Sequence, residues 1–262
     1  MRESPDRQRS PIQNVPGAGG RRGSTEVYRA DPDGYTIGAF NMPGMLIEQL
    51  REGEGVGYDV DQVTWLATIG IENYALIVKA DSEIGTVEDL KALGRPVSFA
   101  ATGPSSTAYT ATDLSAQLLG IEANIITGYE GASENILAVI RGDADAAVAN
   151  HTLIAGYIEN GDIKVVADYA SETAFPDVAD ATDLAIPELD DINLTRLIGA
   201  PPGLPEDVRG VLEAAIAAAV ADPEFQAWLT ETGNTLTATD GAGAGALVEE
   251  MKAFYARYAD QL

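Results

Sequence analysis

Between Pro96 and Tyr169 short apolar runs alternate with helical patterns, and this alternation restricts the fold more than any other feature of the sequence. Val97 to Ala101 reads as a strand that passes through a small-residue loop, Thr102 to Thr107, into a helical pattern ending near Gly120. Asn124 to Gly128, Ala144 to Ala149 and Lys164 to Tyr169 read as further strands, separated by helices over Gly131 to Arg141 and Thr152 to Glu159. Strands that alternate with helices are joined by crossovers, so the expectation is an α/β fold with mixed, mainly parallel sheets. Upstream, Tyr35 to Phe40 reads as a buried strand, Met45 to Arg51 as a helix and Val63 to Lys79 as a strand, and Thr86 opens a short helix ending at Gly94. Downstream, a proline- and acid-rich connector (Phe175 to Asp191) leads to a strand over Leu194 to Ala200. Helices follow over Glu206 to Val220, Pro223 to Thr232 and Ala246 to Tyr258, with a weak strand from Asn234 to Ala238 and a small-residue linker from Gly241 to Gly245. Three closing helices after one last strand indicate a chain that returns to a domain it had left.

With 262 residues, 45% of them hydrophobic, the chain has material for two domains of about 100–150 residues each. No run approaches the roughly 18 apolar residues that span a bilayer, and the N-terminus shows no charged-then-apolar secretion signal. Acidic residues outnumber basic ones 41 to 16, a net charge of −25, which argues against nucleic acid or an anionic membrane as a partner. The acids are dispersed, and such self-repulsion is relieved by salt, so the expected source is a salt-loving organism. Compact structure by circular dichroism in about 20 mM salt would contradict that expectation.

Candidate chemistry is sparse. The chain has no cysteine and one histidine, His151, which leaves no catalytic triad and no metal cluster and makes His151 structural or incidental. Asp143 and Asp145 read as a solvated turn. The glycine run Gly17 to Gly20 lacks the lysine of a phosphate-binding loop. What remains is a set of strand–turn–helix junctions near Gly19, Asn41, Ser105 and Gly131, where ligands sit in open α/β sheets. In the loop after Ala101, Gly103 allows a tight turn, and Ser105, Ser106 and Thr107 can cap a helix whose unpaired N–H groups suit a carboxylate or phosphate. Two readings stay open there: a plain helix cap, or a ligand cradle.

The string Asn14-Val15-Pro16-Gly17-Ala18-Gly19-Gly20, followed by Asp31-Pro32-Asp33-Gly34-Tyr35-Thr36, resembles the tripartite tricarboxylate transporter receptor family, of TctC or Bug type. Its small-residue loop is similar to Ala101-Thr102-Gly103-Pro104-Ser105-Ser106, and its Tyr-Lys-Gly-Ser segment to Tyr129-Glu130-Gly131-Ala132-Ser133, with Glu130 in place of the lysine. A strand ending in Asp-Asn resembles Gly142 to Asn150, with Ala149 in place of the aspartate, and Ile198 to Pro205 matches the family's Ala-Pro-x-Gly-x-Pro element.

The resemblance implies a two-lobed periplasmic-binding-protein-like fold of the Venus flytrap type (type II), one lobe roughly 1–99 plus 196–262 and the other 100–195. It implies an extracytoplasmic, monomeric, non-enzymatic receptor without cofactor or metal, which captures a small organic anion such as a di- or tricarboxylate and delivers it to a membrane permease. A ligand-sensing domain for a signalling partner and an enzyme on the same fold are the alternatives. Carried over, Ala18, Gly19 and Gly20 offer backbone donors, and Thr102, Ser105, Ser106 and Thr107 hold a carboxylate. Gly131, Ala132 and Ser133 lie beside it, and Asn41 and Asn150 close neighbouring junctions. Family members open with two strands and a helix where this chain has only Met1 to Pro11, so a truncated start and an incomplete first lobe are expected.

Overall fold

The computed structural model describes residues 11–52, 56–104, 106–232 and 236–259. The arginine-bearing start up to Ser10, Ser105 of the loop, and Asn234 and Thr235 of the weak strand lie outside the described residues.

A 16-residue strand, β2 (Thr64–Lys79), organises everything else. Its last part pairs with β5 (Ala146–Asn150) on one side and β6 (Ile163–Asp168) on the other, and beyond β5 lie β3 (Val97–Ala100) and β4 (Ala123–Ile126). Its first part pairs with β7 (Asn193–Ala200) and the two-residue β8 (Thr239–Asp240), and β7 pairs in turn with β1 (Gly38–Met42). The change of sheet falls between Asn73, paired with Asn193, and Tyr74, paired with Asn150. Residues 74–79 therefore hydrogen-bond to β5 and β6, and residues 97–100 to β4 and β5.

Among the described residues five of the seven strand pairings are antiparallel, which corrects the expectation of mainly parallel sheets. β3, β4, β5 and β6 do all point the same way. β2 is inserted between β5 and β6 in the opposite sense, and hydrophobic alternation along a strand carries no information about such an insertion.

Residues 74–78 of β2 are buried on both faces, and their alternation separates two cores. Tyr74, Leu76 and Val78 join Phe99 and Leu114 in the main core, which continues under the first sheet through Phe40, Trp65, Leu197, Val248 and Tyr255. Ala75 and Ile77 face a second core with Ile136, Val139, Ala147 and Ile154. Helices α4 (Thr107–Leu119), α5 (Ala132–Arg141) and α6 (His151–Glu159) cover the second sheet. Around the first sheet run α1 (Arg21–Tyr28), α2 (Gly44–Glu52), α7 (Glu206–Val220), α8 (Pro223–Thr232) and α9 (Gly241–Ala256). The short α3 (Val87–Lys91) opens on a capping box in which Thr86 and Asp89 satisfy each other's backbone N–H.

Three local expectations are corrected. Tyr35 is 91% exposed, because the strand starts only at Gly38. The small-residue linker over 241–245 is the first turn of α9, capped by Asp240, whose side chain accepts from Gly243 N–H. Small residues are required there, since a Cβ on Gly241 would lie 2.5 Å from the Trp65 carbonyl oxygen. Asp145, read as part of a solvated turn, accepts two bonds from the Arg95 guanidinium at 2.7 and 2.8 Å and two more from Ser98 N–H and Oγ–H. Arg95 and Ser98 outweigh the opposing effect of burial and hold the Asp145 carboxyl well below the usual carboxylate range.

Candidate functional site

β3, β4 and β5 run in one direction, so the helices that follow them start at one edge of the second sheet. The N-termini of α4, α5 and α6 collect there, each with backbone N–H groups that no preceding turn satisfies. β1 ends near the same place, and α2 begins facing α4: Gly44 N–H donates to Thr107 Oγ1 at 3.0 Å.

The loop into α4 is built around hydroxyls. Ser106 is the N-cap of α4, and its Oγ accepts from Tyr109 N–H at 3.1 Å and from the Thr102 hydroxyl. A hydroxyl that accepts from a backbone N–H in this way can still donate its own proton. Thr107 Oγ1, accepting from Gly44, likewise keeps its proton available. Arg51 of α2 reaches the same loop through Pro104 O at 3.4 Å. Of the two readings left open by the sequence, the helix cap at Ser106 is the one seen directly.

At α5, Gly131 is the N-cap and supplies no side-chain bond, while Ser133 is exposed. Asn135 on the same helix is 1% exposed, and neither its amide nitrogen nor its carbonyl oxygen has a partner among the described residues. The sequence reading missed it; a polar residue on the buried stripe of Ile136 and Val139 was the available signal. At α6, Asn150 is the N-cap position, but its amide donates to the carboxylate of Glu72 on β2, which also holds Arg196 of β7. Glu72 and Arg196 were missed as well.

His151 is structural in a definite way. Its Nε2 lies 2.7 Å from Asp168 Oδ1, at the end of β6 on the same edge. Asp168 is fully buried and also accepts from the N–H groups of Ala170 and Ala174 and from Thr173 Oγ1, so the pair pins the loop after β6. Burial pushes the Asp168 pKa up, but His151 and the backbone donors outweigh it and leave it lowered.

The expected site residues thus fall into two groups. Thr102, Ser106, Thr107, Gly131, Ala132, Ser133 and Asn150 share one edge, and Asn41 sits on β1, two positions before the turn into α2. Ala18, Gly19 and Gly20 form a 3-10 turn ahead of α1, which is tied to α2 by Arg21 and Glu48 at 3.3 Å. Beside that turn a groove of about 420 Å³ is lined by Arg21, Arg22, Thr25, Glu26 and Arg29, and no described hydrogen bond joins the turn to the α4 edge. Among the described residues no group of three or more His, Asp or Glu could hold a metal ion, and no helix is long and apolar enough to cross a membrane.

Helix N-termini and hydroxyls around one edge of a mixed sheet, in strands that continue into a second sheet, define an α/β periplasmic-binding-protein fold. The chain belongs to the tripartite tricarboxylate transporter family receptors, a family of binding proteins rather than enzymes, whose model matches residues 7–253. A UPF0065 protein from the gbd 5′ region of Cupriavidus necator is 25% identical over 182 residues, covering 67% of this chain and 54% of that protein. BugT of Bordetella pertussis is 26% identical over 184 residues, covering 68% and 56%. The chain therefore spans about half the length of these curated relatives. Among solved structures, the periplasmic binding protein BugD has a TM-score of 0.82 at 20% identity, covering 95% of this chain and 85% of that one. MatC from Rhodopseudomonas palustris, with bound malate, has a TM-score of 0.77 at 21% identity, covering 94% and 85%. Another R. palustris protein, with adipate, has a TM-score of 0.78 at 18% identity, covering 92% and 82%. These likenesses show the fold.

Proposed function

We propose that this protein is an extracytoplasmic receptor that closes two lobes around a small organic di- or tricarboxylate and presents the closed form to a tripartite-type membrane permease. Strand pairing supports a first lobe built on β1, β7, β8 and the start of β2, and a second on β3 to β6 and the rest of β2. The observation that carries the reading is the arrangement at α4: the hydroxyls of Ser106 and Thr107 sit in the first turn of a helix that starts at the same edge as α5 and α6, a set of donors suited to an anion. Malate and adipate in two relatives of the same fold support the class of ligand. Closure about a ligand is an established way for two-lobed proteins to signal occupancy.

The test is thermal unfolding at high salt against a panel of mono-, di- and tricarboxylates. A ligand at 100 times its Kd stabilises by about 2.7 kcal/mol, a rise of about 5–10 °C for a chain of this size. The absence of any such rise across the panel, or chemical turnover of a panel member, refutes the receptor reading.

A further inference from the structure

Glu72 stands just before β2 changes sheets and is 6% exposed. A buried carboxylate is stable only when its oxygens are paired. Its partners come from opposite sides of the crossover: the Arg196 guanidinium from the first sheet, and the Asn150 amide from the cap of α6 in the second. Arg196 is thereby one carboxylate away from the edge where α4, α5 and α6 begin.

Arg196 has more to offer than Glu72 uses. Only Nη1 meets Glu72; the side chain is 36% exposed, and Nε and Nη2 have no partner among the described residues. Strand register places Asn41 opposite Arg196 on β1 and Gly70 opposite it on β2, so the three positions share one face. The guanidinium lies over Gly70, where a Cβ would already touch Nη1 at 3.8 Å. Asn41 is exposed, its amide is unpartnered among the described residues, and its strand leads through Met42 and Pro43 to Gly44 and its bond to Thr107. In a chain of net charge −25, an anion with two carboxylates needs local positive charge to be held. A guanidinium with two open donors is the side chain best shaped to provide it.

We propose that Arg196, seated by Glu72 and flanked by Asn41, is the first lobe's carboxylate-binding side chain, so that the receptor selects anions with a carboxylate at each end. One end lies on Arg196 and the other on the α4–α5 edge. Glu72 keeps the empty site from holding an uncompensated, half-buried cation, and its bond to Asn150 fixes the guanidinium relative to the second lobe. The proposal rests on the receptor reading above and adds the residue that makes two charged ends better than one.

The experiment titrates the full chain calorimetrically with succinate, adipate and the matching monocarboxylates, butyrate and hexanoate. Arg196→Gln leaves Glu72 buried without its cation, so the double variant Glu72→Gln/Arg196→Gln is the main comparison, with folding checked by circular dichroism. Asn41→Asp, at an exposed strand position, places a like charge beside the ligand without touching the core. Loss of about 10- to 100-fold in dicarboxylate affinity in both variants, with monocarboxylate affinity within about threefold of the original, is the expected result. Arg196→Lys should recover part of the loss. If the unaltered protein binds dicarboxylates and the variants discriminate between di- and monocarboxylates as it does, the proposal is overturned and the receptor reading stands. If the unaltered protein binds neither dicarboxylate, the proposal is overturned, and the wider carboxylate panel above decides the receptor reading separately.

Discussion

Ser106 offers a crossed test that separates helix capping from anion binding. Its Oγ accepts from Tyr109 N–H at 3.1 Å and from the Thr102 hydroxyl, and the side chain is buried. Ser106→Ala removes the cap and leaves both donors without an acceptor, a cost of about 1 kcal/mol within a range of about 0.5–2, or a melting temperature lower by about 2–4 °C. Ser106→Asp keeps an acceptor for Tyr109 N–H and puts negative charge at the positive end of α4, so stability should stay within about 0.5 kcal/mol of the original. Against a ligand carboxylate about 5 Å away, at an effective dielectric constant of about 20, the same charge costs about 3 kcal/mol, close to 200-fold in Kd. Thermal unfolding and calorimetric titration with a panel ligand read the two effects separately. The expected pattern is a less stable alanine variant that still binds and a stable aspartate variant that does not. Aspartate-variant affinity within about threefold of the original would show that this loop does not face the ligand's charge.

Thr107→Val removes the acceptor of the buried Gly44 N–H, so urea denaturation should show a loss of about 1–3 kcal/mol, with Thr107→Ser close to the original. Asp145 and Asp168 both have pKa values lowered from the ordinary carboxylate value of 3.8. The stability they lend is complete above that value and is lost as the pH falls through their lower folded values, so urea midpoints should drop progressively below about pH 4. Asp145→Asn should flatten that drop, and an unchanged profile would remove Asp145 as a source of it. Gly241→Ala forces a methyl against the Trp65 carbonyl where α9 starts on β2; a loss of about 1–3 kcal/mol is expected, and an unshifted melting curve would contradict the close approach.

The site was legible in the sequence where it depends on local chemistry. A strand, a small-residue loop and hydroxyls before a helix are enough to locate the capped start of α4 at Ser106 and Thr107, because capping is decided within a few residues of the chain. Glu72 and Arg196 were not legible: they are 124 positions apart, and each alone reads as an ordinary charge in a strand. Asn135 stood out only once its amide was found buried without a partner. His151 read as structural or incidental with no partner in view, because Asp168 is brought to it by β6 folding back along β2.

By itself the sequence determined most of the strand and helix segments, the hydroxyl loop, the acidic composition and the lack of cysteine, since each follows from periodicity, capping or composition. Only the tertiary structure decided which strands are neighbours and in which direction. β2 runs against β5 and β6 and passes from one sheet to the other between Asn73 and Tyr74, and no local preference encodes that. The pairing of distant strands is settled by burial on both faces at once: a one-residue shift of β2 would exchange Leu76 and Val78 with Ala75 and Ile77 between the two cores. The same register sets Arg196 opposite Asn41 and brings Glu72 to the cap of α6, so the charges at the crossover are a product of the fold rather than of any motif.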